Sequence, residues 1–114
     1  MGRATVTTVP TSPSASMPRL TGGASVSVDG ITVGEWTLTR AAFTDRHQHV
    51  EINTVLEGEL HVTCEGETHV VRPGQTIVVP AGSRATYAAP EYARMSYVYG
   101  PGTPGMTDVA YEEF

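Results

Sequence analysis

Apolar residues in this chain fall in short alternating runs punctuated by glycine and proline, and no long window holds a helical period. The runs predict a series of strands. Val26-Ser27-Val28 leads into Asp29-Gly30, a dipeptide that favours a tight hairpin turn. Ile31 to Arg40 follows, with Val33, Trp36 and Leu38 as its apolar points, and then His47 to Leu56, which ends at Glu57-Gly58. Leu60 to Cys64 stops at Glu65-Gly66, Thr68 to Arg72 at Pro73-Gly74, and Thr76 to Val79 at Pro80-Ala81-Gly82. Arg84 to Ala88 and Ala93 to Tyr99 complete the set. Short segments rich in Val, Thr and Tyr, bounded in this way, predict an all-β antiparallel sandwich or barrel.

The two ends read differently. Met1 to Leu20 is rich in Thr, Ser and Pro and lacks the apolar centre of a signal peptide, so residues 1–22 are expected to be a disordered leader. The barrel is assigned to residues 23–101 and a tail to 102–114. Within that tail, Met106 to Phe114 fits either one helical turn or a swapped edge strand.

Composition narrows the partners. With 114 residues the chain can build one small core, and small cores gain from association, so a homodimer is expected. Acids outnumber bases 12 to 7, and the formal charge of −5 comes with no basic cluster. That argues against nucleic acid, whose phosphates need a positive surface. No apolar stretch approaches the roughly 18 residues of a membrane span. The single cysteine, Cys64, excludes an internal disulfide framework and suits a reducing cytoplasm.

Spacing then brings in a family. Glu51 is followed by six residues and Gly58, fifteen residues separate Gly58 from Gly74, and Gly74 stands six positions before Pro80-Ala81-Gly82. Glycine and proline at these points permit the tight turns that link barrel strands. Together with His47-Gln48-His49, this pattern resembles the two motifs of the cupins, the RmlC-like jelly rolls, over roughly residues 35 to 100. The run from His47 to Gly58 is also similar to the effector-binding cupin domain of AraC-type regulators, without the helix-turn-helix domain those proteins carry.

The resemblance implies a divalent metal (Fe, Mn, Ni, Cu or Zn) held by two histidines and a glutamate of the first motif. Two registers are open. In one, His47, His49 and Glu51 are the ligands, since alternate residues of a strand share a face. In the other, the family's spacing to Glu51 is kept, Asp45 and His47 take the histidine positions, and His49 falls in the connecting turn. The second motif departs from the family: Ala85 stands at the fourth ligand position and Ala89 at the asparagine position. Neither can bind a metal.

Around this cluster, Glu51 and Tyr87 are candidates for moving protons. Asn53, Tyr87, Tyr97 and Trp36 are candidates for substrate contact, because ligand sites combine aromatic walls with a few polar groups. Trp36 fits core packing as well as the pocket mouth. His61 and His69 lie on a predicted hairpin and are expected to take ordinary exposed or cross-strand partners. Cys64 has no base beside it in any motif and reads as a small buried residue and not a nucleophile. Two functions follow. One is a metal-dependent cupin enzyme (dioxygenase, isomerase, lyase or cyclase) acting on a small organic molecule. The other is a metal-free module that binds or senses such a molecule.

Overall fold

The computed structural model describes residues 2–9, 11–23, 25–102 and 105–114. Two 17-residue strands organise it. β4 (Ile31–His47) and β9 (Arg84–Gly100) pair antiparallel from Thr32↔Tyr99 to Arg46↔Arg84. Before them in the chain come β1 (Thr11–Pro13), β2 (Leu20–Gly23) and β3 (Val26–Val28); between them come β5 (Val50–Gly58), β6 (Leu60–Cys64), β7 (Glu67–Val71) and β8 (Thr76–Val79); β10 (Met106–Glu113) closes the series. The first half of β4 carries β3 and β2 on its outer edge, and the facing half of β9 pairs with β5, which carries β8. The second half of β4 carries β10, and the facing half of β9 pairs with β6, which carries β7. The two halves enclose one core around Leu38, Leu60, Val55, Val62 and Met95.

The change of direction occurs at a single irregularity. The β4–β9 register shifts between Thr39 and Ala41, where Arg40 takes a φ of 43°. There one residue of β4, Arg40, stands opposite two of β9, Pro90 and Glu91, and the inward and outward sides of β4 exchange. Trp36 and Leu38 are buried before the bulge, and Ala41, Phe43 and Asp45 after it. In a regular strand Trp36 and Asp45, nine positions apart, would face opposite sides.

The all-β jelly roll expected from the sequence is present, with no helix among the described residues and therefore none long and apolar enough to cross a membrane. Several boundaries differ from expectation. β4 runs on through 41–46, where no strand was predicted, and Arg84–Gly100 is one strand instead of two. The segment expected to be a disordered leader contributes a hairpin: Pro13 pairs with Thr21, Leu20 with Leu38, and Met17 and Leu20 pack on the core. Its Thr, Ser and Pro content hid these two apolar anchors. Burying such side chains stabilises by up to about 1.5–3 kcal/mol each, which offsets the ordering of a few residues. Residues 2–8 are exposed and belong to no element. Finally, Met106–Glu113 is an edge strand paired with β4, not a helical turn.

Candidate functional site

A cavity of about 190 Å³ lies between the two halves of the sheet. Trp36, Phe43, Leu20, Met17 and Met106 form its apolar side, Tyr97 and Tyr99 another wall, and Asp45, His47 and Glu51 its polar side. A larger open groove of about 710 Å³, between the β6–β7 hairpin and β8, contains Cys64 and His69 but no comparable cluster. Chemistry, not size, makes the smaller cavity the candidate site.

Each polar residue is delivered by a different constraint. Asp45 reaches the interior through the parity change at Arg40, opposite Ala85 on β9. His47 ends β4, and its carbonyl accepts a 2.7 Å hydrogen bond from the backbone N–H of Gly82 in the Pro80-Ala81-Gly82 turn. Glu51 and Asn53 sit two apart on β5 and so share its inward face. The indole N–H of Trp36 donates to Asn53 Oδ1 at 2.8 Å, and Asn53 Nδ2 donates to Glu51 Oε1 at 2.8 Å. This buried chain holds the Glu51 carboxylate in one orientation, leaving Oε2 in contact with His47 Nδ1. Asp45 Oδ2 stands 3.4 Å from the same nitrogen.

Asp45, His47 and Glu51 each offer a ligand atom, and these atoms lie within 4.8 Å of one another. The side chains are buried, Asp45 to 2% and Glu51 to 6% exposure. Burial, followed by the negative charge of Glu51, pushes the Asp45 carboxyl up to about 7, with His47 partly opposing. Burial also works against the charged form of His47. The hydrogen bond to Glu51 and the two carboxylates outweigh it, so the His47 pKa is raised. Both shifts describe a place that attracts positive charge. A metal ion entering such a site displaces protons.

Tyr87 projects from β9 into the same interior, 1% exposed, its hydroxyl without a hydrogen-bond partner. Burial, then the charges of Glu51 and Asp45, raise its pKa, so it stays a neutral phenol. Trp36 packs edge-on against Tyr87 and Phe43, with ring centres 5.6 and 6.1 Å apart. It serves both the core and the pocket wall.

Trp36, His47, Glu51 and Tyr97 line the cavity, Asn53 and Tyr87 pack against Trp36 next to it, and the cluster is that of the second register, Asp45, His47 and Glu51. His49 is placed differently from a ligand on a shared strand face. The chain bends at Gln48 and His49, so His47 ends one strand and Glu51 lies in the next. The alternation rule does not carry across that bend, and the register preserved is Asp45-x-His47-x3-Glu51. His49 is 5% exposed, stacks on Tyr99 with ring centres 4.5 Å apart, and has no hydrogen bond at either ring nitrogen. Tyr87 lies on the Ala85 face of β9, both being buried. His61 and His69 sit elsewhere, His61 against Glu59 just before β6 and His69 against Glu67 on β7. Phe43, Met17, Leu20 and Met106 went unrecognised as pocket residues, whereas the alternation of Tyr97 and Tyr99 along β9 marks both tyrosines for one face.

Three oxygen and nitrogen donors of this kind suit Mn, Fe, Ni or Zn, and the unpaired buried Tyr87 hydroxyl marks room for a further polar group. The residues therefore fit a divalent metal.

The strand order, the two motif turns and this inward cluster define the chain as a cupin. More narrowly, residues 14–103 match the family described as ethanolamine utilisation protein EutQ, and the chain belongs to that family. A crystal structure of ethanolamine utilization protein Q from Salmonella typhimurium LT2 is 30% identical, covering 74% of this chain and 71% of its own, with a TM-score of 0.68. The EutQ protein of Clostridium difficile is 23% identical over 73% of this chain and 63% of its own, TM-score 0.65. KdgF from a Halomonas species shares the fold at 21% identity, covering 75% of this chain and 83% of its own, TM-score 0.67. No curated protein sequence matches.

Proposed function

We propose that this chain is a small metal-dependent cupin enzyme that transforms a small organic molecule in the cavity bounded by β4, β5 and β9. The observation that carries this reading is the convergence of Asp45, His47 and Glu51 within 4.8 Å, buried, on one side of a pocket whose other side is apolar and aromatic. Asp45, His47 and Glu51 would hold one ion of Fe, Mn, Ni, Cu or Zn. Such an ion supplies Lewis-acid polarisation of a substrate oxygen or a binding place for O2.

The protein's own groups supply the rest. Asn53 keeps Glu51 Oε1 occupied, so that Oε2 faces the cation or a substrate proton. The Tyr87 phenol donates a hydrogen bond to whatever polar group enters beside Glu51. Trp36 and Tyr97 form walls that exclude water. At about 190 Å³ the cavity is well below the roughly 300–1,000 Å³ of drug-sized pockets, so the substrate has few heavy atoms. The family's link to ethanolamine utilisation points to the same size class. One apolar and one polar side favour a molecule with a short hydrocarbon part and an oxygen-bearing head.

A second reading, a metal-free module that binds or senses a small molecule, draws support from Ala85, which lies buried opposite Asp45 where the fourth ligand of the family motif would stand. Elemental analysis of protein purified without an affinity tag separates the two, with His47→Ala and Glu51→Ala as comparisons. Near-stoichiometric metal that is lost in both variants supports the enzyme and directs oxygen-consumption and isomerisation assays. No metal in any preparation, with none taken up on addition, sinks it in favour of the binding module.

A further inference from the structure

Behind the site, the outer face of the sheet reverses the usual pattern. In β5 the inward residues at the site are Glu51 and Asn53, and the outward ones beside them are Val50 and Ile52. A sheet with one face on the core and one in water carries the opposite arrangement, apolar inside and polar outside. Neighbouring strands continue the reversal. Cross-strand pairing joins Val26 of β3 to Val33 of β4, Val33 to Val98 of β9, Val98 to Ile52, and Ile52 to Val78 of β8. This is one uninterrupted row of β-branched side chains across five strands. Val28 and Ile31, paired with each other, extend it toward the β3–β4 turn. Val28, Ile31, Val33, Val78 and Val98 are between 37% and 61% exposed.

Apolar side chains exposed singly need no account, but a contiguous patch of more than a few hundred Å² marks a contact surface. Five strands about 4.8 Å apart, followed from Ile31 to Thr37 at about 3.4 Å per residue, form a face of about 24 by 24 Å, roughly 600 Å². No residue of the valine row is charged. At the far end of the face Arg94 donates to Glu35 at 2.6 Å and also pairs with Glu57, so these charges are matched within one chain. An apolar centre with a polar, ion-paired rim is the anatomy of a protein–protein interface. A second copy fits it. In a chain of formal charge −5, this face is where two like-charged molecules approach with least repulsion. Two such faces together bury about 1,200 Å², the lower end of the roughly 1,200–2,000 Å² that stable complexes use.

We infer that this face, centred on Val98, is the contact between two copies of the chain packed sheet on sheet about a two-fold axis. Val98 is the middle of the five positions in the row. A self-complementary contact that buries the whole row therefore sets the axis near it, and Val98 of one copy meets Val98 of the other. The two sheets then lie about 10 Å apart, as in a β-sandwich. Glu51, Asn53 and Tyr97 alternate with Ile52 and Val98 on the opposite side of the same strands. The two cavities thus face away from each other, and neither is covered by the other copy. The inference stands independently of what the cavity binds.

Sedimentation equilibrium on the whole chain, across micromolar concentrations, tests it. The wild type is expected at twice the chain mass. Val98→Glu and Val98→Lys each set like charges against one another at the axis, so each is expected as a monomer, its association weakened at least about 100-fold. Mixed together, the two variants are expected to pair again, one Glu against one Lys, which a misfolded chain cannot do. Val33→Glu, one strand away in the same row, is expected to separate the copies as well. Val70→Glu, at a comparably exposed valine on β7 outside this face, is the control and stays dimeric. Circular dichroism checks that each variant is folded. A monomeric wild type, or Val98 and Val33 variants that remain dimers, overturns the inference. Folded Glu and Lys variants that fail to pair on mixing overturn the placement of Val98 at the axis.

Discussion

Replacing Asp45 with asparagine should make the metal-free protein more stable at pH 8 and flatten a pH dependence that the wild type shows strongly. Asp45 is almost wholly buried, and its carboxyl titrates at about 7 where its ordinary value is 3.8, chiefly through burial and then through the charge of Glu51. The folded protein thus binds more protons than the unfolded chain between those two values. Stability from this group is complete below the unfolded pKa and is lost as pH rises through the folded one. At about 1.36 kcal/mol per pH unit, the interval from 3.8 to about 7 corresponds to roughly 4 kcal/mol. His47 acts with the same sign, since its pKa is also raised. Asp45 Oδ2 stands 3.4 Å from His47 Nδ1, so the two groups titrate together and their contributions overlap and do not add. A loss of about 2–4 kcal/mol between pH 4 and pH 8 is expected for the wild type. Asparagine keeps the size of the side chain and has no charge to bury. Urea denaturation at intervals from pH 4 to 8, with chelator present, measures the difference. For a domain of this size each kcal/mol moves the melting temperature by about 4–8 °C, so thermal melts resolve it as well. Parallel pH profiles for the two proteins, or an Asp45→Asn variant less stable than wild type at pH 8, would refute the account of Asp45 as a carboxylate held against its own ionisation.

Four further substitutions probe the packing of the barrel. Tyr87→Phe removes a buried hydroxyl that has no partner, and should raise metal-free stability by about 1–2 kcal/mol in denaturant titrations while impairing turnover or ligand binding. Asn53→Leu strips Trp36 Nε1 and Glu51 Oε1 of their partners at once; a loss of about 2–5 kcal/mol is expected by the same measurement, and a value near zero would show that the chain does not hold Glu51. Gly58 and Gly74 both have positive φ, 76° and 85°, but a Cβ at Gly58 would lie 1.9 Å from the Tyr92 carbonyl oxygen while one at Gly74 meets open space. Gly74→Ala should therefore cost about 1–2 kcal/mol and Gly58→Ala about 4 kcal/mol or more, compared by thermal melting.

Much of this protein was legible from local pattern. Alternating apolar positions marked Leu60–Cys64, Thr76–Val79 and the inward residues of β5 directly, because a strand with one buried face must repeat with period two. The glycines at 58, 74 and 82 marked turns, because each takes a positive φ that other residues resist. The same spacings brought Glu51, His47 and the Pro80-Ala81-Gly82 turn into one family motif, and the structure ties that turn to His47 by a backbone hydrogen bond.

What the chain could not declare in one dimension was anything that depended on an interruption of that pattern. The bulge sets Arg40 against Pro90 and Glu91; the proline reads locally as a break between two strands, yet the irregularity decides that Asp45 faces inward with Trp36. The bend at Gln48 and His49 ends one strand and begins another, which separates His47 from Glu51 in the chain's secondary structure while joining them in space. The N-terminal hairpin has the composition of an unstructured segment and is ordered only because the edge of β4 and the core accept Leu20 and Met17. By itself the sequence determined the strands, the turns and the types of residue available to a site, since these follow from local preference and period. Tertiary structure alone decided which of them meet, because burial, charge coupling and ligand spacing depend on distances between strands far apart in the chain.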